Sequence, residues 1–203
     1  MFDARIRPLI DPALNRMGEA LAGFGISANQ VSLAGAVFGA GAGVAIANRY
    51  YDVGLGLILA SRLLDGLDGA IARATRPTDF GGYLDIVCDY IFYIATPLGF
   101  ALAETTNRPA SLLLLASFTL TAVSFLAFAS IAAKRRLETT THGRKSFFYS
   151  TGLAEGAETI LAFVVMCLWP AGFPAIAVVF SALCLATVAQ RTARAFHDFH
   201  DNA

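Results

Sequence analysis

Six stretches of this chain, at 31–49, 53–73, 82–104, 110–133, 150–169 and 173–194, each approach the ~20 apolar residues a helix needs to cross a bilayer core. Backbone polar groups in lipid must be satisfied within their own segment, so runs of this length fold as helices. Of 203 residues, 56% are hydrophobic and only 15% are charged, too apolar for an ordinary soluble domain. The expectation is an all-α integral membrane protein: six transmembrane helices within residues 27–203, preceded by an amphipathic interfacial helix within residues 1–26. That leading segment sets Arg5, Arg7 and Arg16 among Ile6, Leu9, Ile10, Leu14 and Met17, the pattern of a helix lying in the membrane surface. It lacks the early apolar core and cleavage site of a signal peptide.

The joints carry residues that stop helices or start them. Ser27 is placed to cap the first span, and Asn48-Arg49, Pro77, Asn107-Arg108-Pro109 and Pro170 through Pro174 separate the later ones. Within the first span Gly35, Gly39 and Gly43 recur every four residues, which lets a neighbouring helix approach closely. Cys88, Cys167 and Cys184 all lie in apolar runs and read as small buried hydrophobes, not as a disulfide framework.

Lysine and arginine fix the orientation. In the six-span arrangement Arg5, Arg7, Arg16, Arg73, Arg76, Lys134, Arg135, Arg136, Arg144, Lys145, Arg191 and Arg194 fall on one side, against Arg49 and Arg108 on the other. Both termini are therefore expected in the cytoplasm, in a bacterial or archaeal cytoplasmic membrane. The formal net charge of zero offers no argument for a nucleic-acid partner.

Two of the spans are chemically odd. Asp65 and Asp68 lie on the second, three apart, on one helical face with Gly69 and Ala72; Asp85 and Asp89 lie a turn apart on the third. Charges at membrane depth are costly and mark function by default. Arg73 and Arg62 are the only cations nearby, so negative charge remains in excess, which hard divalent ions with oxygen ligands would balance. Two ions between the helices could neutralise a diphosphate and polarise its phosphorus. Asp65, Asp68 and Asp85 are then the obvious ligands. Asp89, a turn deeper, is the candidate base for an attacking hydroxyl and a fourth ligand. Gly69, Ala72 and Gly81 lack bulk and leave room for a nucleotide. Arg62 is expected to form a structural ion pair with Asp65.

Together Asp65, Asp68, Gly69, Ala72, Arg73, Gly81, Asp85 and Asp89 spell D-x2-D-G-x2-A-R-x7-G-x3-D-x3-D. The pattern resembles the signature of the CDP-alcohol phosphotransferase family. The resemblance implies an enzyme of phospholipid biosynthesis that cleaves a CDP-linked donor at its diphosphate. The substituted phosphoryl group passes to the hydroxyl of a second alcohol and CMP is released, with two Mg2+ ions (or Mn2+) as cofactor. It further implies a homodimer in the bilayer and a nucleotide role for Asn29 in the turn before the first span, beside Asp68, Gly69, Ala72, Arg73 and Gly81. CDP-diacylglycerol as donor to a polar alcohol, phosphorylated or not, is the leading reading. A CDP-linked head group donated to diacylglycerol is the alternative. A carboxylate-based ion transporter is a second alternative, though it leaves the Gly-x2-Ala-Arg element without a role.

Specificity is expected outside the signature. Lys134, Arg136 and Glu138 are similar to a K-x-R-x-E stretch of phosphatidylinositol-phosphate synthases, where the basic residues hold the acceptor's phosphate. The serine expected a turn earlier is replaced by Ile131. Glu155 and Glu158, three apart at the start of the fifth span, share a helix face on this reading. They are candidates to hydrogen-bond an acceptor's hydroxyls or amine, or to pair with Arg144 or Lys145.

Overall fold

The computed structural model describes residues 3–135 and 152–200, and within them the chain is helical throughout. Seven α-helices follow one another: α1 (Asp3–Gly23), α2 (Ala28–Ala47), α3 (Tyr51–Ala74), α4 (Asp79–Ala103), α5 (Arg108–Lys134), α6 (Gly156–Leu168) and α7 (Phe173–His200). Single 3₁₀ turns, Thr105–Asn107 and Pro170–Gly172, precede α5 and α7.

The boundaries have local causes. After α1 the chain turns through Gly25 at φ +79°, a left-handed conformation that suits glycine. Ser27 then caps α2 as expected, in a reciprocal box: its hydroxyl accepts from the Gln30 amide, and Gln30 Oε1 accepts from the Ser27 amide at 2.9 Å. The Thr78 hydroxyl caps α4 by accepting from the Gly81 amide at 3.0 Å. The turn between α3 and α4 is only four residues, 75–78, so the two aspartate-bearing helices run antiparallel.

Among the described residues, four helical stretches are long and apolar enough to cross a membrane: Ala28–Ala47, Asp79–Ala103, Thr105–Lys134 and Pro170–Phe199. The sequence reading of six is therefore met only in part, and for two different reasons. At 24 residues α3 has the length, but Arg62, Asp65, Asp68 and Arg73 raise its charge. The sixth helix has 13 residues, starting at Gly156 and not near 150. At 1.5 Å per residue that covers about 20 Å.

Packing centres on α2, which lies against both α3 and α4 while those two scarcely touch. Its glycine stripe makes this feasible, as the spacing predicts. A Cβ on Gly35 would meet Leu64 of α3 at 3.5 Å, one on Gly39 would meet Phe92 of α4 at 3.1 Å, and one on Gly43 would strike the Ala95 carbonyl oxygen at 2.5 Å. Beyond this wedge an aromatic core of Phe92, Phe100, Phe118, Phe163, Phe173 and Phe180 joins α4 to α5, α6 and α7. The three cysteines are free and buried. The first helix packs on α3, with Leu14, Leu21 and Ala22 against Val31, Leu67 and Ile71.

Candidate active site

The α2 wedge holds α3 and α4 apart at one end of the bundle, and a cleft of about 460 Å³ opens there. Asp68, Gly69 and Ala72 line it from α3, Gly81 and Asp85 from α4, and Asn29 from the first turn of α2. A Cβ on Gly69 would meet the Arg73 guanidinium at 3.3 Å, and one on Gly81 would meet the Thr78 hydroxyl at 3.0 Å and the Asn29 amide oxygen at 3.3 Å. Arg73 does not line the cleft; its Nη2 donates to Asn15 of α1 at 2.9 Å, tying α1 to the end of α3.

Behind the cleft a narrow recess is bordered by Ser32, Gly35, Arg62, Asp65, Asp68 and Asp89. The two cavities share Ser32 and Asp68; Asp85 lines the cleft, and Asp65 and Asp89 border the recess. Asp68 is buried and accepts from the Ser32 hydroxyl at 2.6 Å. Arg62 pairs with Asp65 at 3.6 Å, as its position one turn away predicts, yet its shorter contact is to Asp89 Oδ1 at 2.5 Å.

Hard divalent cations take oxygen ligands, and these carboxylates supply them from facing helices. Among the described residues no three acidic, histidine or cysteine side chains already enclose a point where an ion would sit. Three of the four are engaged by protein partners, Asp68 by Ser32, and Asp65 and Asp89 by Arg62. The oxygen donors suit a divalent cation in chemistry, and Asp65, Asp68 and Asp89 would have to leave these partners to serve as its ligands.

The residues expected to choose the acceptor are more scattered. Lys134 is the exposed last residue of α5; Arg136 and Glu138, with Arg144 and Lys145, lie outside the described residues. Glu155 and Glu158 do not share a helix face. Glu155 stands just outside α6 as its cap, and Glu158 Oε2 accepts from the Glu155 amide at 3.3 Å in a capping box. Glu155 Oε1 also accepts from the Gly152 amide at 2.8 Å. Their first task is to satisfy backbone donors at a helix start, a cost that burial makes pressing.

Ser32 and the Arg62–Asp89 pair escaped the sequence reading. For Ser32 a signal existed: it falls in the same stripe as Gly35, Gly39 and Gly43, and so on the face turned to α3 and α4. Arg191 of α7 is also buried, donating to the Thr121 carbonyl at 2.9 Å and the Ser124 hydroxyl at 2.7 Å, and so ties α7 to α5.

With this geometry in view, comparison with known proteins is decisive: the sequence pattern of CDP-alcohol phosphatidyltransferases matches residues 26–191. The chain belongs to that family. As a CDP-alcohol phosphatidyltransferase it is a phosphotransferase, and its apolar helices make it a multi-pass membrane protein. It is 44% identical to the inner membrane protein YnjF of Escherichia coli over 192 residues, 94% of this chain and 93% of that one. It is 36% identical to the archaetidylinositol phosphate synthase of Pyrococcus horikoshii over 104 residues, 49% of this chain and 53% of the relative. The fold resembles that of Mycobacterium tuberculosis phosphatidylinositol phosphate synthase. The crystal structure of that protein with CDP-DAG bound aligns at a TM-score of 0.67 and 19% identity over 90% of this chain and 93% of that one. A second, with manganese and citrate, aligns at 0.69 and 20% over 89% and 87%.

Proposed function

We propose that this phosphotransferase moves a phosphatidyl group from CDP-diacylglycerol to the hydroxyl of a polar alcohol, phosphorylated or not, and releases CMP. The observation that carries the reading is that Asp68 and Asp85 line a cleft together with Asn29, Gly69 and Gly81, while Asp65 and Asp89 border an adjoining recess that shares Ser32 and Asp68 with it. Support comes from the fold shared with a synthase crystallised with CDP-DAG, and separately with manganese. The 36% identity to an archaetidylinositol phosphate synthase favours a lipid donor over a CDP-linked head group.

Asp65, Asp68, Asp85 and Asp89 would hold two Mg2+ ions, or Mn2+. When bound, such ions neutralise the diphosphate and polarise its phosphorus. The cytidine end lies against Asn29, Gly69, Ala72 and Gly81, and Arg73 would join them only by leaving Asn15. Asp89 takes the proton from the acceptor hydroxyl as its oxygen bonds to the phosphorus beside diacylglycerol. The bond from that phosphorus to the bridging oxygen breaks, and CMP carries the electron pair away. Lys134 and Arg136 meet a phosphate on the acceptor, and Glu155 and Glu158 its hydroxyls.

In the membrane, α3 and α6 complete six spans with α2, α4, α5 and α7, and α1 lies in the interface. The excess of lysine and arginine puts the cleft and both termini in the cytoplasm of a bacterium, in the inner membrane where YnjF resides. Two copies pair there as a homodimer.

The test is CMP release from CDP-diacylglycerol by purified protein with Mg2+, across glycerol phosphate, inositol phosphate, serine and choline. Mg2+-dependent release with at least one acceptor is expected. Release only from CDP-choline with diacylglycerol would reverse the donor assignment.

A further inference from the structure

The family signature does not include the cation that sits among its aspartates. Arg62 is 10% exposed and fixed on three sides. Its guanidinium lies over the Phe92 ring, 4.0 Å from the centroid. Nη2 donates to the Ser61 hydroxyl at 3.2 Å, which in turn donates to the Gly35 carbonyl of α2 at 2.8 Å. Nη1 faces Asp89 of α4 and Asp65 of α3. Nε is buried with no hydrogen-bond partner. A buried donor left unmade is costly, so this pose favours the two carboxylates over full satisfaction of the guanidinium.

We propose that Arg62 is a resident counter-ion, bridging Asp65 and Asp89 in the metal-free protein and giving way when a divalent cation enters, so that it sets how tightly the metal is held. The inference rests on the metal-site reading above. Two ionised carboxylates facing each other in a poorly polar interior repel unless a positive charge lies between them. A guanidinium supplies it without external ligand. A dication needs lone pairs on the same two side chains, and it is repelled by the guanidinium that already sits there. Arg62 therefore steadies the empty site and weakens the loaded one. It is a positioning residue: it touches the ligands, not the reacting phosphorus.

The test uses the full chain in detergent without substrate. Mn2+ is titrated and the free ion followed by electron paramagnetic resonance, for wild type, Arg62→Gln and Arg62→Lys; melting is recorded in chelator and in saturating Mn2+. Arg62→Gln is expected to bind Mn2+ about tenfold more tightly, ~1.4 kcal/mol. It should also melt lower in chelator and gain more on Mn2+ addition than wild type. Arg62→Lys, which keeps the charge but not the planar fork, should bind a few-fold more tightly. If Arg62→Gln does not fold, the lysine variant decides. Unchanged or weaker Mn2+ binding in the variants, with wild type binding normally, overturns the proposal. No Mn2+ bound by wild type overturns the metal-site reading itself.

Discussion

The crossing of α2 and α4 offers a strict test of how the site is held. A Cβ on Gly43 would lie 2.5 Å from the Ala95 carbonyl oxygen, and one on Gly99 would lie 2.5 Å from the Gly43 carbonyl oxygen. Both obstacles are backbone, so no flexible side chain can yield, and in Gly43→Ala the helices must part until the contact nears an ordinary 3.4 Å. Overpacking of this kind costs ~1–3 kcal/mol. Alanine returns ~1 kcal/mol of helix propensity. Gly41→Ala is the control on the same helix: its Cβ would meet only Leu57 Cδ1 at 3.6 Å, and it gains the same propensity without the clash. The difference between the two variants therefore isolates the crossing, and Gly43→Ala should melt roughly 2–12 °C below Gly41→Ala. The shift also moves Asp85 and Asp89 on α4 relative to Asn29 and Ser32 on α2. A displacement near 1 Å can lower turnover by ~10²-fold, while Gly41→Ala should keep wild-type rates. Melting curves in detergent and CMP release on the same preparations supply both numbers. Should the two variants melt together and turn over alike, the close crossing is not what positions the acids.

Two further substitutions probe the acids themselves. Ser32→Ala removes the hydrogen bond to buried Asp68 and should lower stability by ~1.5–3 kcal/mol in chelator, as charge-assisted bonds do. Saturating Mg2+ should narrow that gap, and an equal loss in both conditions would make the serine purely architectural. Asp89→Asn keeps shape and a ligating oxygen but cannot take a proton, so at saturating Mg2+ turnover should fall ~10²–10⁴-fold while CDP-diacylglycerol binding changes little. Near-normal rates in that variant would assign the base elsewhere.

What the sequence disclosed follows from the range of the interactions involved. Apolar length and capping chemistry act within a few residues, and α2, α4, α5 and α7, the Ser27 cap and the glycine stripe were all legible. The aspartates were legible because helical spacing alone puts each pair on one face. Arg62 to Asp65 is such a local contact, but Arg62 to Asp89 spans α3 and α4 and depends on how α2 wedges between them. The same holds for Ser32 with Asp68, and for Arg73, which meets Asn15 of α1 and not the cleft. The place of Glu155 outside α6 was not legible for a different reason: its spacing from Glu158 fits one helix face and a capping box equally well.

The shortness of α6 has a consequence for the lipid around it. An apolar helix of about 20 Å is mismatched to a hydrocarbon layer of about 30 Å. Just before it, the Leu153 and Ala154 amides donate to the Thr187 hydroxyl, partway along α7, so irregular backbone is anchored well inside the bundle. Such backbone is tolerated at depth only when screened by protein or wetted. With α6 crossing as proposed, the bilayer beside it would have to pinch inward, a dimple that would shorten the path by which a hydrophilic reactant reaches the buried chemistry.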